Sequence, residues 1–305
     1  MASSHNSIYS ALAANLLIAI TKFTAGAFSN SAAMISEGIH SMVDTVNQIL
    51  LLFGLKRSKK PADAVRPFGY GKEIYFYSFI VSILIFGLGG GISIYQGIIH
   101  LLKPEPFGDP TWNYVVLALS VVFEGTSLII ATKEFNKVRG EYTWWDAIIR
   151  SKDPSNFLVL FEDGAAVLGL MIVMSCMFIG HRYHIPELDG LASLLVGLLL
   201  VGVSLILARE SRSLLMGESI SAASRERIEV MTTSDKAVSK VLKIISTYQS
   251  PDEVILMLFV AFNDDLDTQE INEAIERIRN QVKMEFTLIK FVIIQPEVIT
   301  SKITF

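Results

Sequence analysis

The chain has 305 residues, of which 51% are hydrophobic and only 18% are charged. Soluble domains carry about 25% charged residues, so this composition argues against an ordinary soluble protein. The net charge of −4 gives no reason to expect a nucleic-acid partner, and a single cysteine, Cys176, excludes an intrachain disulfide and disfavours a cysteine-based metal site.

Six apolar segments are long enough to cross a bilayer as helices, which takes roughly 20 residues each. The N-terminal sequence MASSHNS lacks the positive region and cleavage site of a signal peptide, so we expect the first segment to remain in the mature protein. Ionisable residues interrupt several segments, and such residues at membrane depth are usually functional. The predicted spans are residues 8–28, 31–55, 73–101, 113–134, 155–180 and 188–211.

Basic residues are distributed unevenly among the loops. The loop at 56–72 holds six Lys and Arg residues and the stretch 133–152 holds five, whereas the loops after spans three and five hold one each. The positive-inside rule therefore places the two basic loops and both termini in the cytosol. The short loops predict a multi-pass protein of a prokaryotic plasma membrane, with an organelle as the alternative. The pair Trp144-Trp145 predicts an interfacial helix between spans four and five.

The last part of the chain has the composition of a soluble domain. We therefore predict a membrane domain at 1–215 and a cytosolic domain at 216–305. The fold class expected is an all-α six-helix transmembrane bundle followed by a small α/β, ferredoxin-like domain of order αββαβ. The pattern predicts its elements as helical spacing over 224–245, a strand near 241–247, a strand at 254–262, a helix at 267–284 that begins at an Asp cap, and a strand at 287–296.

The second span carries a polar stripe in the sequence SEGIHSMVDTVNQ, residues 36–48. At 100° per residue, with His40 at zero, Asp44 falls at about 40°, Glu37 at about 60° and Asn47 at about −20°. An imidazole and a carboxylate one turn apart can bind the same cation. The alternative is a polar seam between helices, but such seams more often use Ser, Thr or Asn. The stripe therefore indicates a metal site.

Spans four and five contain three further acids. Glu162 and Asp163 are adjacent and point about 100° apart, so Asp163 is the main candidate ligand. Glu162 either flanks it or is an interfacial acid. Glu124 lies in the middle of span four, where it is either a ligand, a proton carrier or the partner of Lys22 in a buried pair. Lys22 alternatively extends its amine outward to the interface.

Together these features resemble the cation diffusion facilitator family of metal–proton exchangers. The resemblance covers nearly the whole chain, including the order of six spans and a ferredoxin-like tail. The combination is much more specific than an HxxxD pattern alone. The motifs that carry it are SNSAAMISEGIHSMVDTVNQ (29–48), RPFGYGKEIYFYSF (66–79), IYQGIIHLLKPEP (94–106) and the acidic fifth span.

The resemblance implies a tetrahedral metal site shared by spans two and five. His40 and Asp44 match the pair on span two, and Asp163 matches the last position of the pair on span five. The other position is Val159, where zinc-transporting members usually have His. The stretch LFEDGAAVLG (160–169) looks like a branch of the family that lacks this His. Glu162, Glu124 or water is then expected to supply the fourth ligand.

Other sites of the family are weaker in this sequence. In the loop between spans two and three, Asp63 is retained, but Arg66 and Tyr70 stand where histidines often occur, so we expect no stable metal there. None of the five His residues lies in the tail, so we expect the tail to dimerise rather than to sense metal. By resemblance, Lys72 is expected to help lock span three to the cytosolic domain across the dimer, with Glu218 as its partner.

The function that the resemblance implies is Zn²⁺ efflux by proton antiport with alternating access. The chain would then be a secondary active transporter and not an enzyme. It would have no permanently bound cofactor, and its partners would be a second copy, membrane lipid, the transported metal and protons. The alternatives are Mn²⁺, Fe²⁺ or Co²⁺ transport, a non-transporting membrane scaffold, and an intramembrane hydrolase. The last lacks an HExxH motif.

Overall fold

A computed structural model describes residues 2–104, 111–140 and 142–298, and it describes only the backbone of residues 2–14, 138, 149–150 and 155–156. The chain folds as two compact units, Met1–Arg57 with Glu73–Arg212, and Ser58–Lys72 with Ser213–Phe305. The helices are α1 (Ala2–Ser29), α2 (Ala32–Ser58), α3 (Glu73–Leu84), a π-helical segment (Ile85–Gly91), α4 (Ile92–Leu102), α5 (Thr111–Arg139), α6 (Trp144–Arg150), α7 (Pro154–Tyr183), α8 (Glu187–Met216), α9 (Ala222–Thr233) and α10 (Thr268–Glu285). The strands are β1 (Val238–Ser250), β2 (Glu253–Phe262) and β3 (Ile289–Pro296).

The first unit is a bundle whose long helices occupy all six predicted spans. Among the residues that the structure describes, four helical stretches are long and apolar enough to cross a membrane by length and composition. For α1 and α2, the prediction of a span rests on the sequence pattern and on their place in the bundle. The four stretches are Glu73–Leu102, Thr111–Lys137, Phe157–Tyr183 and Glu187–Met216.

Glycines allow α4 and the preceding π-helical segment to lie directly against α8. A Cβ at Gly97 would lie 2.5 Å from the backbone nitrogen of Leu194, and one at Gly197 would lie 2.7 Å from the backbone nitrogen of Ile94. Only glycine permits backbones to approach this closely, as in other membrane helix pairs. We call this contact the glycine seam, and it is formed by Gly90, Gly97, Gly190 and Gly197.

The tryptophan pair lies on the predicted short helix, α6. Thr143 caps its first turn by accepting a hydrogen bond from the backbone N–H of Asp146 at 3.2 Å. The ring of Trp144 stacks on Phe135 with centroids 5.5 Å apart, which joins α6 to the end of α5. The helix is thus confirmed, while its position at the membrane interface stays a prediction.

The second unit contains a three-stranded sheet in the order β1-β2-β3. β1 pairs with β2 in antiparallel orientation. β2 pairs with β3 in parallel orientation, and α10 connects these two strands in the chain. The αββαβ order is therefore as predicted. The helical spacing assigned to 224–245 was too long, because α9 ends at Thr233 and residues 238–245 lie in β1, where Val241 and Ile244 are buried against the sheet core.

A capping box fixes the start of α10, as its Asp cap predicts. Asp267 accepts a hydrogen bond from the backbone N–H of Glu270 at 2.8 Å, and the Glu270 carboxylate accepts one from the N–H of Asp267 at 2.9 Å. Ala274, Ile278 and Val282 then follow at four-residue spacing and are buried. This spacing places one face of α10 on the sheet.

The basic loop 58–72 is part of the second unit and is organised by Asp63. Its carboxylate accepts hydrogen bonds from the N–H groups of Val65 (2.9 Å) and Arg66 (2.8 Å) and from the hydroxyl of Tyr70 (2.7 Å). The bond from Tyr70 lowers the pKa of this carboxyl group. Asp63, considered from the sequence as a possible metal ligand, therefore has its carboxylate engaged in holding the loop together.

The predicted lock residues, Lys72 and Glu218, both belong to the second unit. The ammonium of Lys72 donates to the backbone carbonyl of Leu215 at 3.4 Å. The backbone carbonyl of Glu218 accepts from the N–H of Tyr248 at 3.0 Å. The locking role of Lys72 and Glu218 stays a prediction.

An ion pair at the surface of the second unit makes its stability depend on pH. Two guanidinium nitrogens of Arg277 each donate to an oxygen of Asp235 at 3.1 Å, and this lowers the pKa of Asp235 below its usual value. A carboxyl group with a depressed folded-state pKa stabilises the fold above its unfolded pKa, about 3.9, and loses that contribution as pH falls.

Asp235→Asn is therefore expected to lower the unfolding midpoint of the chain at pH 7, with the difference from wild type narrowing as pH falls below about 4. Thermal unfolding of the detergent-solubilised protein at several pH values measures this. Asp264→Asn, at an exposed acid of the same unit, is the control. A difference that stays constant from pH 7 to pH 3 would contradict the prediction.

Candidate metal site

The polar stripe of α2 faces the interior of the helix bundle. Glu37 and Asn47 are fully buried, His40 is 2% exposed, and the side chain of Asp44 is 13% exposed. His40 Nδ1 lies 3.5 Å from Asp44 Oδ1, which is longer than a hydrogen bond. The helical periodicity thus placed the four groups on one face correctly, and the structure brings the imidazole and carboxylate side by side.

A cavity of about 390 Å³ lies between α1, α2, α5 and α7, and acids line it. Asp44 reaches it from α2, Glu124 from α5, and Glu162 and Asp163 from α7. Val159, which by resemblance stands where a His is usual, also forms part of the cavity wall. The polar neutral side chains in the lining are Asn15, Ser41, Gln48, Thr126 and Ser127.

Hydrogen bonds across the bundle hold the two acids of α7. Glu162 accepts from the amide nitrogen of Asn47 on α2 at 2.7 Å. Asp163 accepts from the hydroxyl of Ser127 on α5 at 2.7 Å. Both carboxylates are nearly buried, so Glu162 is not an exposed interfacial acid in this structure. Adjacent positions on one helix therefore both contribute to the cavity, because each is held by a different neighbouring helix.

Several buried polar atoms of α2 have no hydrogen-bond partner within the described part of the chain. They are Glu37 Oε1, both ring nitrogens of His40, Asp44 Oδ1 and Asn47 Oδ1. Leaving such groups unsatisfied costs about 1–3 kcal/mol each, and native proteins contain few of them. An unpartnered imidazole beside an unpartnered carboxylate oxygen is the arrangement expected of groups that bind a cation.

Asp44, Glu162 and Asp163 line the cavity, whereas His40 stands beside Asp44 and is not part of the lining. Across residues 2–104, 111–140 and 142–298, no three His, Cys, Asp or Glu side chains converge closely enough to hold one metal ion. The ligand set predicted from the sequence, with His40, Asp44, Glu162 and Asp163 as its main members, stays a prediction.

A buried ion pair occupies the side of the stripe nearest to α1. The ammonium of Lys22 donates to Glu37 Oε2 at 3.1 Å and to the hydroxyl of Ser41 at 2.8 Å. Lys22 and Glu37 are both 0% exposed. The carboxylate that receives Lys22 is therefore Glu37 and not Glu124, and the lysine does not extend outward to the interface. Glu37, a less certain ligand from the sequence, is held by this pair.

A second polar network, which the sequence did not reveal, joins α8 to the start of α2. Asp189 accepts from the Ser31 hydroxyl at 2.5 Å and from the N–H groups of Ala32 at 2.5 Å and Ala33 at 3.3 Å. His100 Nδ1 lies 3.9 Å from the same carboxylate. Asp189 thus caps a helix that is distant in sequence. The only available signal was an acid at the beginning of an apolar span.

Removing this cap is expected to destabilise the bundle. Asp189→Ala leaves the amide groups at the buried N-terminus of α2 without an acceptor, which should cost about 1–2 kcal/mol. A lower unfolding temperature in detergent would show this. Glu187→Ala, at an exposed position two residues earlier, should leave the temperature unchanged. Equal stability of the two variants would contradict the role of Asp189.

The chain matches the cation efflux transmembrane domain family over residues 8–216. It is 36% identical over 271 residues to "Proton-coupled zinc antiporter SLC30A9, mitochondrial" of Xenopus laevis, covering 86% of this chain and 48% of that protein. The mouse protein of the same name is 33% identical over 292 residues, covering 92% of this chain and 51% of its own length. The chain thus spans about half the length of these relatives.

Two other similarities have different coverage. The "Manganese efflux system protein MneP" of Bacillus subtilis (strain 168) is 26% identical over 285 residues, covering 93% of this chain and 92% of that protein. A solved nickel form of the MamM CTD aligns with 26% of this chain and all of its own, at 14% identity and a TM-score of 0.25. From the family match over most of its length, the chain is a multi-pass membrane protein that belongs to the cation efflux, or cation diffusion facilitator, family.

Proposed function

We propose that this chain transports Zn²⁺ across a membrane in exchange for protons, as a secondary active transporter that works by alternating access. The observation that carries the proposal is the cavity inside an apolar bundle with Asp44, Glu124, Glu162 and Asp163 in its wall. Carboxylates are costly at membrane depth unless a cation or proton compensates their charge. A cavity lined by such groups is suited to a cargo with positive charge.

The exchange for protons follows from the chemistry of the ligands. Zn²⁺ binds deprotonated carboxylate and neutral imidazole groups, so its binding releases protons. His40 and Asp44, one turn apart on α2, supply one ligand of each kind, and Asp163 on α7 supplies another carboxylate. After the bundle opens to the other side, protons that bind these groups displace the metal. The zinc antiporters to which the chain is similar are named for such coupling to protons.

Mn²⁺ is the second candidate cargo, and the composition of the site favours it. Val159 stands where a second His would be expected, so the predicted ligand set holds one His, His40, and several acids. Oxygen ligands suit Mn²⁺, whereas additional nitrogen ligands suit Zn²⁺. A relative named for manganese efflux covers 93% of this chain. Fe²⁺ and Co²⁺ fit the same ligand set.

The remaining partners and the location are part of the same proposal. The second unit would join two copies of the chain, and Ile293 on β3, which is 47% exposed, offers apolar surface for this. The basic loops would place both termini in the cytosol of a prokaryotic cell. A mitochondrial membrane is the alternative, because the zinc antiporters are named mitochondrial. Cross-linking in membranes tests the dimer, and a reporter fused to either terminus tests the orientation.

The function is tested by metal flux into sealed proteoliposomes under an imposed pH gradient. Zn²⁺, Mn²⁺, Fe²⁺, Co²⁺ and Cd²⁺ are offered separately, and internal metal and pH are followed with fluorescent indicators. We expect saturable Zn²⁺ flux that reverses when the pH gradient is reversed. Absence of flux for every metal, in protein shown to be folded, would reject the transporter and favour the scaffold.

A further inference from the structure

Lys22 is a fully buried lysine beside the proposed cargo site, and no step of metal exchange uses it. Burying an ammonium is expensive unless it is paired and hydrogen-bonded. Lys22 has both kinds of partner, because it binds Glu37 Oε2 at 3.1 Å and the Ser41 hydroxyl at 2.8 Å. The three residues lie on α1 and α2 and connect these helices at the level of the polar stripe.

The pair with Lys22 engages only one side of the Glu37 carboxylate. Its other oxygen, Oε1, has no hydrogen-bond partner among the described residues and lies against Gly169 of α7, where an added Cβ would be 3.0 Å from it. Glu37 also sits one helical turn from His40. Without Lys22, Glu37 would be a buried carboxylate with two unbonded oxygens next to a candidate ligand, which is a favourable place for a divalent cation.

The charge of Lys22 also acts on the site itself. Its ammonium binds the Ser41 hydroxyl at 2.8 Å, and Ser41 lies in the wall of the cavity that Asp44 and Glu124 also line. In the interior of a bundle electrostatic interactions are screened far less than at a surface. A fixed positive charge at this place opposes the accumulation of positive charge in the cavity.

Resting on the proposed transport function, we propose that Lys22 is a positioning residue that keeps Glu37 out of the ligand set of the transported metal and thereby weakens metal binding enough for release. Tight binding common to both states of a transporter slows unloading, as it does in any cycle where the cargo must leave. Lys22 limits that binding by occupying Glu37 and by adding one positive charge near the cavity.

The test compares Lys22→Met with the double variant Lys22→Met/Glu37→Gln. We expect Lys22→Met to bind Zn²⁺ at least about tenfold more tightly than wild type and to show a lower KM together with a lower maximal flux. The double variant removes one charge of each sign, and we expect its affinity to return to within about threefold of wild type. Replacing a buried ion pair by uncharged residues is often tolerated by the fold. Thr24→Val, at an exposed position on α1, is the matched control.

Equilibrium Zn²⁺ binding to the full chain in detergent is measured alongside flux in proteoliposomes. Unchanged or weaker Zn²⁺ binding by folded Lys22→Met would overturn the proposal. If Lys22→Met does not fold, the double variant decides by itself. Affinity within about threefold of wild type would support the proposal. A loss of tenfold or more would show that Glu37 is a ligand in the wild type and would overturn the proposal. A wild type that binds Zn²⁺ but does not transport it would reject the transport function while leaving the effect of Lys22 on binding measurable.

Discussion

Asp44→Ala is expected to abolish proton-coupled metal flux, lowering it at least about a hundredfold in proteoliposomes. Asp44 lines the cavity, has an unpartnered oxygen, and stands 3.5 Å from the imidazole of His40. The other acid of α2, Glu37, is paired with Lys22. Asp163→Ala is expected to have the same effect, since it removes the acid that Ser127 orients toward the same cavity.

The loss should be specific to acids of the cavity. Glu134→Ala removes an exposed acid of α5 that pairs with Lys137 on the surface, and it should transport at the wild-type rate. Equilibrium metal binding to each variant separates loss of the site from loss of the conformational cycle. Flux by Asp44→Ala at the rate of Glu134→Ala would reject the assigned site.

Val159→His is expected to raise the preference for Zn²⁺ over Mn²⁺ by tenfold or more. Val159 lines the same cavity as Asp44 and Asp163, so an imidazole there would add a second nitrogen ligand to the site. Nitrogen ligands favour Zn²⁺, whereas Mn²⁺ is better served by oxygen. Competition between the two metals for binding and for flux measures the ratio.

Val159→Leu, which changes the size of the side chain without adding a donor, is the control for this variant. The same background tests the role of Glu162. If Glu162 supplies the fourth ligand, Glu162→Gln should weaken Zn²⁺ binding strongly in wild type and only slightly when His stands at 159. An equal loss in both backgrounds would place the fourth ligand elsewhere.

The architecture was largely predictable because apolar runs determine where helices lie in a membrane. The polar stripe of α2 was predictable for a related reason, since a helix turns by a fixed angle and His40 and Asp44 lie within one turn. In the second unit the prediction of helical spacing continued past Thr233 into β1. Val and Ile at 238–245 fit either periodicity, and pairing with β2 decides between them.

Contacts between helices were not predictable from one sequence. Glu37 and Glu124 are both acids within predicted spans, and the packing of α1 against α2 determines that Lys22 reaches Glu37. The bonds from Asn47 to Glu162 and from Ser127 to Asp163 depend on the same geometry. Asp189 was missed because it caps a helix more than 150 residues earlier in the chain.

The glycine seam has a mechanical consequence for the bundle. At Gly97 and Gly197 the two backbones are too close for any side chain to fit between them, so separating the helices would lose close contacts along the seam. We therefore expect α4 and α8 to move together as one rigid pair of helices. The cavity is bounded by α1, α2, α5 and α7, none of which belongs to that pair. Widening or narrowing of the cavity is then expected to come from movement of those four helices relative to α4 and α8.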